Sequence, residues 1–312
     1  MRYSRSNFRL LRLLGLCALA GALLGVAPAA AQEVSTGAPG YSAYADPEKT
    51  AIAVILSEEE NVREFREAFG LDDGEVGEVL SAVREENGKV AEEFAQSEKI
   101  VAANNSLPDG KVADKIAASD YEETVERAIE ETKDSVAETL PDDGEAELQS
   151  WVDAQWRDEV AEASEGGSGR VVETKAGRVL VCDRIYATQY RGYTRFEAAL
   201  PHRALKFGSR PEVPIIRGNR SIRPRIKEVG PWNTKDNWWR SGKKRAMWKG
   251  LRRCVPEARA AYFNNYNRGR DEYRRKVTNP AGVDLTPRAA RRLGLKLYQN
   301  AYVSVRFPWV GR

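Results

Sequence analysis

The sequence predicts a mixed α+β fold in which a helical, acidic half precedes a β-rich, basic half. Across residues 32–168, apolar side chains recur at helical spacing, and 36 acidic residues face 11 basic ones, a net charge of −25. Across residues 169–312, short β-branched runs alternate with Gly, Pro and Asn, and 34 basic residues face 10 acidic ones, a net charge of +24. The change falls at the Gly-Gly-Ser-Gly stretch 166–169, which has the composition of a flexible linker.

The first 31 residues have the layout of a cleavable secretory signal peptide. Four arginines precede an apolar run over residues 13–26, and small residues follow it up to Ala31. Because this run is shorter than the roughly 20 residues that a membrane-spanning helix needs, we expect cleavage after Ala31 rather than a retained anchor. The sequence therefore predicts a secreted or cell-wall-associated protein without stable membrane insertion. The predicted organisation is a signal peptide (1–31), an acidic helical domain (32–165), a linker (166–171) and a basic β domain (172–312).

Amphipathic helices are predicted throughout the acidic half. Apolar residues recur at intervals of three and four within the segments 62–69, 76–83, 121–129 and 148–156. Turn-forming Asp, Gly and Pro residues separate them at 71–74, 107–110 and 140–144. We expect the apolar stripes to form the core of a small helical bundle, and a groove for a partner is the alternative. The glutamate runs 58–60 and 122–123 predict solvated helix faces, since no calcium-loop pattern accompanies them.

The basic half predicts a small all-β barrel. Its β-rich runs lie at 178–182, 187–190, 212–216, 222–226 and 301–307. Between Trp232 and Thr278 the pattern changes to Arg, Lys, Trp and Tyr, with a helical stretch around 256–273. We predict that residues 232–278, hereafter the excursion, leave the barrel and return to it.

Two cysteines and one histidine limit the chemistry of the mature chain. Cys182 and Cys254 are the only cysteines after the predicted cleavage site. In an oxidising compartment they indicate one disulfide, with a catalytic free-thiol pair as the alternative. His202 is the only histidine, and no zinc-binding spacing occurs, so the sequence predicts no metal site and no cofactor.

Three segments of the basic half carry a family resemblance. They are Leu-Pro-His-Arg-Ala-Leu-Lys-Phe-Gly at 200–208, Arg-Ile-Lys-Glu-Val-Gly-Pro at 225–231, and Val-Asp-Leu-Thr-Pro-Arg-Ala-Ala-Arg-Arg-Leu-Gly at 283–294. In this order they resemble the motifs of the rare lipoprotein A family, whose relatives include expansin-like wall-loosening proteins. The resemblance implies a six-stranded double-psi β-barrel from about residue 176 to the C-terminus, interrupted here by a helical insertion.

The resemblance also implies a function on peptidoglycan glycan strands. Characterised members of the family are lytic transglycosylases, in which one carboxyl group protonates the glycosidic oxygen and then helps an internal sugar hydroxyl to close an anhydro ring. Such a carboxyl needs a raised pKa, so that it still holds its proton near neutral pH. The family also includes proteins that bind the strands.

When the family's motifs are aligned with this sequence, the resemblance assigns the catalytic roles to Glu228, His202 and Asp284. Glu228 stands where the family has aspartate, and Arg191 occupies the region where catalytic members have a further carboxylate. We therefore favour binding without turnover, and a lytic transglycosylase with Glu228 as the acid is the alternative. The structural alternatives are an ion pair for Glu228, a turn-stabilising hydrogen bond for His202 and a helix cap for Asp284.

Substrate binding is predicted for residues in and beside the excursion, namely Arg203, Arg225, Trp232, Trp238 and Trp239. Aromatic faces can stack on sugar rings, while bases can hold the anions of peptidoglycan or another anionic wall polymer. The alternative for the tryptophans is that they bury the excursion against the barrel. Export argues against nucleic acid as a partner. The opposite charges suggest a further hypothesis, that the acidic domain docks on the basic domain and shields its cleft.

Overall fold

A computed structural model describes residues 52–141, 144–165, 169–175, 177–190 and 195–310, and all of these belong to one compact unit. The predicted signal peptide, the first half of the predicted linker (166–168) and Arg191 lie outside the described residues. Within them the mixed α+β class is confirmed.

In the described part of the acidic half, residues 52–55 are helical and five longer α-helices follow. They are α1 (Glu59–Phe69), α2 (Asp73–Ala103), α3 (Asp109–Ala117), α4 (Tyr121–Thr139) and α5 (Gly144–Glu165). Each of the four periodic segments lies inside one of these helices. Helix α2 begins with a capping box, in which Asp72 accepts hydrogen bonds from the N–H groups of Gly74 and Glu75 while the Glu75 side chain accepts one from the Asp72 N–H.

The basic half forms a sheet curled into a half-barrel. Its strands are β1 (Gly169–Thr174), β2 (Gly177–Gln189), β3 (Glu197–Leu200), β4 (Ile215–Arg217), β5 (Arg220–Ile222), β6 (Arg225–Val229), β7 (Ala281–Leu285) and β8 (Ala301–Phe307). The strand order is β5-β4-β8-β2-β7-β3-β6, and β1 pairs with β2. β2 runs parallel to β7 and β3 parallel to β6, while the other pairings are antiparallel. The described sheet therefore has eight strands, where a six-stranded barrel was expected.

Several predicted strands have different bounds, for local reasons. The run at 178–182 and residues 187–189 of the next run belong to one strand, β2. Its register shifts beside Arg184, a residue with a positive φ of 51°. The run at 222–226 is divided because Arg223 and Pro224 separate β5 from β6. The predicted strand at 301–307 has the bounds of β8. Strands β1, β3 and β7 were not predicted.

The excursion contains less helix than predicted. Helix α7 covers Glu257–Asn264 and ends at Asn265, which adopts a left-handed conformation with φ 51°. A short 3₁₀ turn follows over Tyr266–Gly269. Two further short helices flank the sheet strands, α6 (Arg203–Phe207) and α8 (Pro287–Arg292).

The helices and the excursion share one apolar core. Trp156 of α5 packs against Tyr262 and Phe263 of α7, with ring centroids 5.2 and 5.3 Å apart. Phe94 of α2 packs edge-on against Trp232, at 5.1 Å. All of these rings except Phe94 are almost completely buried. The interface is therefore a continuous apolar core, and a second core lies within the curled sheet.

Ion pairs cross the same boundary between acidic helices and basic half. They join Arg184 to Glu58 and Glu159, Arg217 to Glu59, Lys235 to Asp109, Arg270 to Glu122, Arg274 to Asp114, Arg275 to Glu98, and Lys276 to Glu126. Glutamates of the runs 58–60 and 122–123, expected to be solvated, thus contact the basic half. Most of these pairs are partly exposed and contribute little each. Arg275 is fully buried and also bonds Asp271 at 2.6 Å, so loss of either partner would leave an uncompensated charge.

The predicted disulfide between Cys182 and Cys254 is confirmed. The two Cα atoms are 5.3 Å apart, and 72 positions of sequence separate the residues. The bond attaches the excursion to strand β2.

Candidate functional site

A cavity of about 270 Å³ lies between helix α2 and the curled sheet. Four adjacent strands place one residue each in a row across its floor. Thr188 of β2 is opposite Asp284 of β7, Asp284 is opposite Ala199 of β3, and Ala199 is opposite Glu228 of β6. At the usual strand spacing, the backbones of Asp284 and Glu228 are about 10 Å apart. The small Ala199 between them leaves the space above the floor open.

The walls of the cavity combine amides, a third carboxylate and aromatic rings. Helix α2 contributes Asn87, Phe94 and Glu98, and the excursion contributes Trp232. The remaining polar side chains of the wall are Gln189, Tyr190, Arg195, Asn279 and Asn300. Such a lining offers hydrogen-bond donors and acceptors beside flat apolar faces, which suits a ligand with many hydroxyl groups.

Asp284 lies deep in the cavity. It is buried and accepts a hydrogen bond from the Thr188 hydroxyl. Gly230, with φ 134°, comes so close that a β-carbon there would lie 3.6 Å from Asp284 Oδ2. Burial raises the pKa of the Asp284 carboxyl to about 7, against the opposing effect of the Thr188 hydrogen bond. A large fraction of this carboxyl therefore carries a proton at neutral pH. The N-cap of α8 is Thr286, so Asp284 does not cap that helix.

Glu228 lies at the opening of the cavity to solvent. Its side chain is 38% exposed and accepts a hydrogen bond of 2.5 Å from Lys206 Nζ. The structure therefore agrees with the alternative for Glu228, an ion pair, and the partner is Lys206.

Two buried polar atoms of the cavity wall have no hydrogen-bond partner within the described chain: Gln189 Oε1 and the Tyr190 hydroxyl. The Gln189 amide nitrogen donates to the carbonyls of Lys296 and Gln299, both at 2.9 Å, which fixes the orientation of the amide. Buried polar groups without partners destabilise a fold, so these atoms are suited to bonding a ligand. Sequence reasoning missed both, because a single amide or phenol within a strand has no diagnostic spacing.

Three of the predicted catalytic and substrate-binding residues meet in the cavity, namely Glu228, Asp284 and Trp232. His202 does not line it. Its ring packs edge-on against Trp239 at 6.0 Å, and burial lowers the pKa of the imidazole.

The other predicted binding residues also lie elsewhere. Arg203 donates a hydrogen bond to the Tyr273 hydroxyl at 2.9 Å, and Arg225 lies 3.7 Å from the exposed Glu212 carboxylate. Trp238 and Trp239 are buried in the core of the sheet, where both rings contact Phe307. The structure therefore agrees with the alternative for these two tryptophans, namely that they pack in the core.

Within the described residues, no group of three or more His, Cys, Asp or Glu side chains is arranged to hold a metal ion. Among the helices formed by these described residues, none is long and apolar enough to cross a membrane.

One protein-family model, described as a domain of unknown function (DUF8814), matches residues 168–306, which is less than half of the chain. No curated protein and no solved structure matches the chain. The similarity to the DUF8814 family covers the sheet and the excursion, and helices α1–α5 lie outside the matched range.

Proposed function

We propose that this protein binds a peptidoglycan glycan strand in the cavity between α2 and the sheet. The observation that carries the proposal is the meeting of carboxyls, amides and aromatic rings around one cavity, with Gln189 Oε1 and the Tyr190 hydroxyl left for a ligand. Sugar rings supply both hydroxyl groups for the polar atoms and C–H faces for rings such as Trp232.

The resemblance to the rare lipoprotein A family supplies the kind of glycan. In this proposal the curled sheet is a variant of the family's double-psi β-barrel. The adjacency of the three motif segments supports it, since β3 leads into the first motif and pairs with both β6 of the second and β7 of the third. The protein would act outside the cytosol, in keeping with the Cys182–Cys254 disulfide.

A second candidate function is lytic transglycosylation with Asp284, rather than Glu228, as the acid. The observation that favours it is the buried Asp284 carboxyl, whose pKa lies near neutrality. Its proton would pass to the glycosidic oxygen as the bond to the anomeric carbon breaks. An internal sugar hydroxyl would then bond to that carbon and return its proton to the carboxylate, which restores the acid. Glu228 would bind substrate at the opening.

The test uses the chain from residue 32 to 312, because the helices share a core with the excursion. The protein is incubated with peptidoglycan sacculi, and both the pelleted protein and the masses of soluble fragments are measured. Tyr190→Phe removes only the hydroxyl without a partner and should weaken binding about fivefold, the equivalent of about 1 kcal/mol. Tyr121→Phe is the matched control, because the Tyr121 hydroxyl is also buried without a partner but lies on α4, outside the cavity.

Each result has a defined meaning. Pelleting that weakens in Tyr190→Phe but not in Tyr121→Phe supports binding in the cavity. Anhydro fragments that disappear in Asp284→Asn, yet persist in Glu228→Gln, establish the second candidate. Equal pelleting of wild type, Tyr190→Phe and Asp284→Asn, with no fragments released, would refute the cavity as the glycan site.

A further inference from the structure

The surface of the excursion carries a group of cations that the acidic helices do not neutralise. Residues 237–256 contain seven bases and no acid. Arg245 is buried and paired with Asp236, whereas Lys243, Lys244, Lys249 and Arg253 are exposed. Within the described residues, no carboxylate lies within 4.0 Å of these four side chains. Residues 240–253 are hereafter the cationic loop.

The cationic loop has a fixed conformation around the buried Arg245. The guanidinium donates to the carbonyls of Arg252 and Val255, at 3.2 and 2.9 Å, and to Asp236. A β-carbon on Gly242 would lie 2.5 Å from the Lys249 carbonyl oxygen, so the chain folds back tightly on itself there. This approach brings the short 3₁₀ turn Gly242–Lys244 next to Lys249.

The loop is held at its middle and at its C-terminal end. The Ala246 N–H donates to Asn237 Oδ1 at 2.7 Å, and Cys254 follows directly as one half of the disulfide. Because the loop is ordered before any ligand arrives, binding would cost little additional conformational entropy. None of its residues lines the cavity.

We propose that the cationic loop is a second binding site, which takes a linear polymer of phosphodiester-linked sugars or polyols. Lysine ammonium groups are strong donors to phosphate oxygens, and several of them on one loop match a repeating anion rather than a single one. The loop contains no carboxylate that would repel such a polymer. The site does not depend on the proposed glycan function of the cavity.

The aromatic and apolar residues of the loop disfavour two other polyanions. The Trp248 ring packs edge-on against Tyr266 at 5.8 Å, and its N–H bonds Asn233 at 3.3 Å, so it is not free to stack on a nucleic-acid base. The large hydrophobic side chains that are exposed in the described chain, such as Phe207 and Leu297, lie outside the loop. The apolar side chains of the loop, Met247, Trp248 and Leu251, are only partly exposed, so the loop offers little apolar surface for insertion into a bilayer.

The experiment measures binding of the chain from residue 32 to 312 to soluble poly(glycerol phosphate) at about 50 and about 200 mM salt. The triple variant Lys243→Gln, Lys244→Gln, Lys249→Gln changes three exposed, unpaired side chains, so its thermal stability should match that of wild type. The control Lys175→Gln, Arg223→Gln, Arg291→Gln removes the same charge from exposed positions elsewhere on the basic half. A Lys→Arg triple at the loop keeps the charge.

We expect wild type to bind more weakly at the higher salt concentration, and the loop Gln triple to lose at least tenfold in affinity. In a plot of log binding constant against log salt concentration, the slope should be less steep by about 2, because each lost phosphate contact reduces the slope by about 0.7. The control Gln triple and the Lys→Arg triple should stay within threefold of wild type, and so should Tyr190→Phe, because that residue belongs to the cavity.

Three results would overturn the proposal. The first is equal loss in the loop and control Gln triples, which would mean a response to net charge alone. The second is the absence of binding by wild type. The third is binding of single-stranded DNA or of phosphatidylglycerol vesicles that is as tight as that of the polymer and equally dependent on the three lysines.

Discussion

Replacing Trp156 with alanine tests whether the acidic helices and the basic half unfold as one cooperative unit. The Trp156 side chain is 2% exposed and packs against Tyr262 and Phe263. Its removal takes away roughly 200 Å² of buried surface, or about 5 kcal/mol at 25 cal/mol per Å². Measured values for such truncations are about 3 to 5 kcal/mol, so we expect the Tm to fall by roughly 10 °C.

The assay follows thermal unfolding with two probes. Far-UV circular dichroism reports mainly on the helices, and tryptophan fluorescence reports mainly on the basic half, which contains five of the seven tryptophans. Both transitions should move together in Trp156→Ala. The matched control is Trp151→Ala in the same helix, which contacts Phe65 and Phe69 of α1, is only partly buried and should lower the Tm less. If the fluorescence transition of Trp156→Ala kept its wild-type midpoint while the dichroism transition fell, the shared core would not couple the two halves.

Three further predictions concern stability. Burial raises the pKa of Glu86 to about 8, so the folded state binds this proton more tightly than the unfolded chain, and stability falls as pH rises from about 4.5 to about 8. Glu86→Gln should remove that loss of stability. A Tm profile over pH that runs parallel to that of wild type would contradict this prediction. Asp284, whose pKa is raised from 3.8 to about 7, should likewise lower the stability of the wild type as pH rises. In urea unfolding, the stability of Asp284→Asn relative to wild type should increase by up to about 4 kcal/mol between pH 4 and pH 7. If this difference in stability stayed constant over pH, the carboxyl would be shown to ionise freely. Replacing Cys182 and Cys254 together with serine opens a loop of 72 residues and should destabilise the chain by roughly 4 kcal/mol; an unchanged urea midpoint would refute this contribution.

The elements predicted best from the sequence are those with a strong local signal. The helices follow from apolar periodicity and from turn residues such as Asp72 and Gly74, whose capping contacts involve only neighbours. Strand β8 alternates buried and less buried residues, and its predicted bounds hold. Strands β3 and β7 carry little β signal, because small residues such as Ala198, Ala199 and Gly282 occupy them. These small residues are nevertheless what allows close packing, since a β-carbon on Gly282 would lie 2.5 Å from Pro256.

The cavity could be predicted only in part. Glu228 and Asp284 were selected through the resemblance, and register then places them on the same floor. The contribution of helix α2 was not predictable, because Phe94 and Glu98 have the spacing of an ordinary core stripe and charged face. Trp238 and Trp239 were assigned to substrate by composition, which does not distinguish an aromatic residue in a core from one in a binding site.

The hypothesis of a removable acidic shield fits the contacts less well than a fixed wall. Charge alone suggested the shield, and the ion pairs named above between the described residues do cross the boundary. The apolar contacts of Phe94 and Trp156, together with the fully buried Arg275, are not weakened by salt screening as exposed pairs are. Helix α2 is therefore best regarded as a fixed part of the cavity wall.

The most direct test of the proposal that the cavity binds glycan is to fill the cavity. Ala95 lies on α2 and lines the cavity, whereas the adjacent Gln96 is exposed and does not line it. Calorimetric titration with soluble peptidoglycan glycan chains should show binding to wild type and Gln96→Trp, and at least tenfold weaker binding to Ala95→Trp. Wild-type affinity in an Ala95→Trp protein that unfolds at the wild-type temperature would contradict the assignment of the cavity as the glycan site.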